Sequence, residues 1–343
     1  MITPETAAAR PALGIDLGGT KIEARLFDAA GAERWRQRVA TPVGDYAGTV
    51  AALAGLVAAA RMQSATPESI TVGIGTPGTV QADGRMKNCN STCLNGMPLR
   101  ADIEAAIGQP VELMNDANCL ALSEATDGAG AGAAVVFAVI VGTGSGAGIA
   151  VNGRVLVGAN GLAGEWGHNA LPWVDAAEIA SSGNHLCYCG RRGCIEALVC
   201  GPGLARDYAA NPVVARNCAA NPVANPAARI DPAAQRGHAV DAAGIAALAA
   251  AGDAAAQAAL DRHAERLARA LASVINLLDP DVIVLGGGLS LMQHLYDSLP
   301  RLWGRWVFSA GSQQPVRTRL VPALHGDASG VRGAAWIGRA SAR

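Results

Sequence analysis

Two lobes of mixed α/β structure, alike in design, are what this sequence predicts. The stretch ALGIDLGGTKIEARLFD sets two alternating apolar runs (Leu13, Ile15, Leu17, then Ile22, Ala24, Leu26) around a glycine-rich turn. Alternation of period two on both sides of such a turn is the mark of a β-hairpin. Residues 134–158, AVVFAVIVGTGSGAGIAVNGRVLVG, repeat the pattern. At 343 residues the chain can bury two apolar cores, so the repeat points to a duplicated, hairpin-led architecture.

The elements follow in order. Residues 1–10 are expected to be a disordered tail, 11–130 a small N-terminal lobe, 131–329 a large C-terminal lobe and 330–343 a C-terminal helix returning to the small lobe. Within the first lobe TVGIGTPGTV and VELMND read as strands, and ANCLALSEATDG as a helix ending at glycine. Residues 241–278 carry one long alanine-rich helical pattern, with Leu260, Leu267, Leu271, Val274 and Leu278 at helical spacing. DPDVIVLGGGLS then reads as strand, turn and a further helix. Residues 209–236 contain three Asn-Pro pairs, a density of proline that blocks a regular helix, and read as an exposed insertion.

Composition narrows the function. A formal net charge of -1 offers no basic surface for nucleic acid. No apolar run approaches the roughly 18 residues that cross a bilayer, and the N-terminus MITPETAAARPALG lacks the features of a secretory signal. A cytoplasmic protein acting on small molecules is expected, with its thiols reduced. Of eight cysteines, five (Cys89, Cys93, Cys119, Cys200, Cys218) are scattered without pattern.

Three glycine segments suit a nucleotide. DLGGTK supplies Asp16, Gly18, Gly19, Thr20 and Lys21, a turn whose converging N–H groups, hydroxyl and ammonium fit phosphate oxygens. Gly142, Thr143, Gly144 and Ser145 repeat that design in the second hairpin, and Gly286, Gly287 and Gly288 after a strand give a bare surface for a base and ribose. None is a Walker loop or a dinucleotide fingerprint, so a two-lobed ATP clamp is the expectation.

The other chemistry lies in CYCGRRGC. Cys187, Cys189 and Cys194 supply three soft ligands, and His168 or His185 could complete a closed tetrahedral site of structural zinc. Such an ion would hold Glu165, His168 and Glu196 near one another, an arrangement suited to a polyhydroxylated guest. Asn115 and Asp116 fall where a strand meets a helix; Asp116 is either a helix cap or the base that takes a proton from a hydroxyl attacking the terminal phosphorus of ATP.

DLGGTK, GTPG, NDAN, GTGSGAG, EWGH, CYCGRRGC and GCIE together resemble the ROK family (repressors, open reading frames and sugar kinases), in the family's order. LDPDVIVLGGGLS and HGDASGVRGAAW extend the resemblance to about residue 338. It implies an actin-like ATPase (ribonuclease H-like) fold and transfer of the γ-phosphoryl group of ATP, with Mg2+, to the 6-hydroxyl of a hexose, Asp116 acting as base. By the same resemblance Asn90, Asn115, Glu165, His168 and Glu196 contact sugar, His168 joins Cys187, Cys189 and Cys194 on zinc, and the protein is a homodimer. KNCNSTCLNGMPL, NDANCLALSEA and GEWGHNALPW look most like bacterial fructokinases that also accept mannose. Glucokinase and N-acetylglucosamine or N-acetylmannosamine kinase are the alternatives. Cys93 stands where relatives often carry an aromatic residue. A sugar-sensing repressor of the family would need a helix-turn-helix unit ahead of the first hairpin, where fifteen residues precede Asp16.

Overall fold

A computed structural model describes residues 10–176, 178, 185–211, 214, 240–309 and 314–341. The tail at 1–9 and nearly all of the Asn-Pro segment, residues 212, 213 and 215–236, lie outside the described residues. The strands are β1 (Ala12–Leu17), β2 (Lys21–Phe27), β3 (Glu33–Ala40), β4 (Thr71–Thr76), β5 (Thr79–Val80), β6 (Met86–Lys87), β7 (Glu112–Asn115), β8 (Val135–Val141), β9 (Ser145–Val151), β10 (Arg154–Val155), β11 (Val282–Gly286) and β12 (Arg319–Pro322). The helices are α1 (Tyr46–Arg61), α2 (Leu99–Ile107), α3 (Asp116–Thr126), α4 (Ile195–Val199), α5 (Gly201–Ala209), α6 (Ala242–Ala250), α7 (Ala254–Leu278), α8 (Gln293–Leu302) and α9 (Ser329–Ser341).

Both expected hairpins form. The first sheet runs β3-β2-β1-β4-β7 and the second β10-β9-β8-β11-β12, the same order twice. In the first, β1 pairs antiparallel with β2 and parallel with β4. In the second, β9 and β10 are antiparallel and β11 and β12 parallel. The duplicated, hairpin-led design is therefore visible in the sheets. The residues also fall into two compact units, one comprising those up to Ala138 with Gly148–Gly164 and Ala323 onward, the other Val139–Ala147 with Glu165–Pro322.

In the first unit the pleat of β1 divides its side chains between two layers. Leu13, Ile15 and Leu17 enter a core with Leu53, Leu56 and Val57 of α1 and Ile103 of α2. On the opposite face Gly14, and Gly73 of the neighbouring β4, are glycine because α9 lies directly on them: a Cβ on Gly14 would come within 1.9 Å of the Val331 carbonyl oxygen, and one on Gly73 within 1.9 Å of that of Ala334. Glu124, wholly buried on α3, anchors the approach to α9 by accepting from the Ser329 hydroxyl (2.8 Å) and the Leu324 N–H (3.0 Å). Arg332 of α9 pairs with Asp127 at 2.5 Å.

The second unit corrects one expectation. Residues 241–278 are two helices rather than one, because Gly252 adopts φ +93° and Asp253 caps α7 by accepting from the Ala256 N–H at 2.9 Å. Strand β3 and helix α1 carried no clear signal, whereas α2, which the sequence reading did not pick out, sets Leu99, Ile103 and Ile107 at helical spacing and ends at Gly108. β3, ERWRQRVA, is an edge strand whose arginines keep it wet, and α1 is so rich in alanine that its two faces barely differ.

Candidate active site

The β1–β2 turn is held from outside. Gly18 N–H donates to the Lys21 carbonyl (3.1 Å), the Thr41 hydroxyl donates to the Gly18 carbonyl (2.7 Å), and Thr41 N–H to that of Thr20 (3.1 Å). Gly19, Thr20 and Lys21 are left exposed, the geometry a phosphate-binding turn requires. Asp16, half-buried on β1, is pushed up to about 6 by burial and then by the Asp116 and Glu23 carboxylates, with Lys21 pulling the other way. Asp16 and Asp116, far apart in sequence, thus feel each other's charge, and such a pair favours a cation or a proton beside it.

Asn115 closes β7 and Asp116 opens α3. The cap of that helix is Asn115, whose Oδ1 accepts from Ala117 N–H (3.0 Å) and Asn118 N–H (3.4 Å). Asp116 accepts from Ala117 N–H at 2.7 Å and is exposed, so capping does not account for it. Of the Asn115 carboxamide, only the NH2 group remains for a ligand. Asn90 is exposed on a loop fixed by Asn95, which accepts from Cys89 N–H (2.9 Å) and donates to the Cys89 carbonyl (3.0 Å). The Ser91 hydroxyl beside it lies 3.9 Å from where a Cβ of Gly19 would stand.

In the second unit the turn at 142–145 is closed by Gly142 N–H donating to the Gly144 carbonyl (2.9 Å), and Gly201 N–H reaches the Gly142 carbonyl (2.8 Å). A Cβ on Gly142 would lie 3.6 Å from the Gly288 nitrogen, so this turn and the 286–288 segment abut. Glu196 Oε2 accepts from Ser145 N–H at 3.0 Å, and the Cys187 thiol points to Glu196 Oε1 at 3.7 Å. Glu196 therefore ties the glycine turn to the cysteine loop, a link the sequence did not reveal.

A short backbone ladder assembles the cysteine cluster. Leu171 N–H donates to the Gly193 carbonyl and Ile195 N–H to that of Asn169, both 2.9 Å, which draws His168 to Cys194. His168 Nδ1 lies 3.5 Å from Cys187 Sγ, Cys189 Sγ lies 3.6 Å from Cys194 Sγ, and all four ligand atoms fall within 4.8 Å of one another. Zinc–sulfur bonds of about 2.3 Å in a tetrahedron put ligands ~3.8 Å apart, so the donor set fits such an ion. His185 is not in the cluster; burial, then the Arg206, Arg266 and Arg192 charges, hold its imidazole below the usual value. Glu165 Oε2 lies 3.9 Å from His168 Nε2, and that nitrogen meets the Tyr188 hydroxyl at 2.9 Å, a residue that sequence reasoning passed over.

A hairpin-led sheet built twice, each hairpin tipped by a glycine turn, places this protein in the actin-like ATPase fold. Within that class the chain belongs to the ROK family, whose profile matches residues 12–341. It is 38% identical over 328 residues to the N-acetyl-D-glucosamine kinase of Photobacterium profundum, covering 94% of this chain and 98% of that protein. The N-acetyl-D-glucosamine kinase of Escherichia fergusonii is 37% identical over 336 residues, with the same coverage. Among solved structures, the ROK hexokinase from Thermus thermophilus superposes with a TM-score of 0.73 at 31% identity, covering 95% of this chain and 96% of that one. The ROK family glucokinase from Streptomyces griseus, in complex with glucose and AMPPNP, gives 0.75 at 28%, covering 96% and 100%.

Proposed function

We propose that this protein is an ATP-dependent kinase that phosphorylates the 6-hydroxyl of an N-acetylated hexosamine, N-acetyl-D-glucosamine foremost. The observation that carries the acceptor is the similarity to N-acetyl-D-glucosamine kinases over 94% of the chain. Those relatives favour the amino sugar, held as the alternative in the sequence reading, over the fructose that KNCNSTCLNGMPL, NDANCLALSEA and GEWGHNALPW suggested.

Local geometry supports some of these roles, and the resemblance to the family supplies the others. Asp116, exposed at the start of α3 and not its cap, takes the proton of the 6-hydroxyl as that oxygen attacks the γ-phosphorus and ADP leaves. Gly18, Gly19, Thr20 and Lys21, with Gly142, Thr143, Gly144 and Ser145, present N–H groups, hydroxyls and an ammonium to phosphate, and Gly286, Gly287 and Gly288 face the adenosine. Asp16 sits where a charge-neutralising Mg2+ would relieve its repulsion by Asp116. Asn90, Asn115, Glu165, His168 and Glu196 hold hydroxyls of the acceptor. His168, Cys187, Cys189 and Cys194 would hold a structural zinc, which supplies rigidity and no open position for chemistry.

A coupled assay with ATP and Mg2+ across N-acetyl-D-glucosamine, N-acetylmannosamine, glucose, mannose and fructose tests the acceptor. N-acetyl-D-glucosamine is expected to show the highest kcat/KM. A clear preference for fructose would return the acceptor to the first reading, and no phosphorylation of any of them would remove the kinase reading.

A further inference from the structure

His168 offers its two ring nitrogens to different partners. Nδ1 turns to Cys187 Sγ at 3.5 Å, and Nε2 lies 2.9 Å from the hydroxyl of Tyr188. With Nδ1 given to the thiol cluster the ring proton is assigned to Nε2, which then donates to the tyrosine oxygen. The rings meet edge to face, their centroids 5.0 Å apart. Yet Tyr188 is 72% exposed, and its hydroxyl makes no second hydrogen bond among the described residues.

The backbone under it is fixed. Cys187 N–H donates to the Arg191 carbonyl (2.8 Å) and Gly190 N–H to that of Cys187 (2.9 Å), so the loop holds while the side chain can turn about χ1. Beside Nε2 stands the Glu165 carboxylate, its Oε2 3.9 Å away, while Cys187 and, beyond it, Glu196 lie on the Nδ1 side of the ring. A donor beside a carboxylate, its hydrogen-bonded oxygen carried by an exposed side chain that can turn, is a donor whose partner can be exchanged.

We propose that the Tyr188 hydroxyl is a removable stand-in for the acceptor. It satisfies Nε2–H of His168 in the sugar-free protein and swings away when an oxygen of the sugar, a hydroxyl or the acetamido carbonyl, takes its place. The inference rests on the sugar-kinase reading above and names a residue that sets acceptor affinity. Every acceptor must first break one neutral hydrogen bond, a penalty of about two- to tenfold in binding.

The test is calorimetric titration of the full chain with N-acetyl-D-glucosamine, alongside steady-state kinetics, for wild type and Tyr188→Phe. The variant keeps the ring and loses the competing oxygen. Acceptor Kd and KM are expected to fall by about two- to tenfold, while KM for ATP and bound metal per chain keep their wild-type values. Unchanged or weaker acceptor binding in Tyr188→Phe, with wild type an active kinase, overturns this inference alone. A wild type that neither binds nor phosphorylates an N-acetylated hexosamine overturns it together with the reading beneath it.

Discussion

Asp16 is a carboxyl whose ionisation its own surroundings resist. Burial and the neighbouring Asp116 and Glu23 push it up to about 6, against an ordinary value of 3.8. Because the folded value is raised, the native state binds more protons than the unfolded one between these limits, and stability falls as pH rises through that window. Above it the ionised group costs up to about 3 kcal/mol. Asp16→Asn is therefore expected to raise the urea midpoint at pH 8 and to lose that advantage by pH 4; an equal gain at both pH values would contradict the assignment. At this scale the sequence was informative where chemistry is unusual: DLGGTK, NDAN and CYCGRRGC each named groups that the fold presents or gathers. It could not show that Asn115 rather than Asp116 caps α3, since either side chain can accept from the first turn and backbone torsion decides. Tyr188 was invisible because nothing in Cys-Tyr-Cys says which way an exposed ring turns.

Helix α4 carries Glu196 and is pinned at its far end by α7. His263 of α7 is wholly enclosed, and its Nε2–H donates to the Val199 carbonyl at 2.7 Å. Burial holds its imidazole down to about 4, from an ordinary 6.5. Here the folded value is depressed for a base, so the stabilisation is complete above pH 6.5 and is lost as pH falls towards 4. The loss amounts to about 3 kcal/mol. His263→Gln, which keeps a donor without the titration, should lose less stability than wild type between pH 7 and pH 4.5 in chemical denaturation. Parallel losses in the two proteins would exclude His263 as the source. Elements were legible where apolar contrast was strong, as in β1, β2, β8 and β9, and illegible where alanine or arginine blurred it, as in α1 and β3. The break at Gly252 and Asp253 was overlooked because apolar spacing persists across it, although glycine followed by a capping aspartate is a physical stop and start.

The whole molecule joins a duplicated scaffold to a cysteine loop that Glu196 ties to the second glycine turn. Its duplication could be read from two hairpins, and the sheets repeat it in strand order. Each compact unit gathers separate stretches of chain, and contacts decide that rather than local pattern. Among the described residues no helix is long and apolar enough to cross a membrane. If the cysteine cluster is a metal clip, purified protein will contain about one zinc per chain, and a strong chelator will lower Tm and raise the acceptor KM more than the ATP KM. Full activity in protein free of metal would show that the thiols and His168 hold the loop unaided.

Phosphorus NMR of ATP, Mg2+ and N-acetyl-D-glucosamine, followed with wild type and Asp116→Asn, goes most directly to the claim that this carboxylate drives phosphoryl transfer to a sugar. Wild type should convert ATP to ADP and a sugar phosphomonoester, and the variant should be slower by about 10²–10⁴-fold under saturating sugar. Inorganic phosphate as the sole product with wild type, or equal rates from the two proteins, would contradict it.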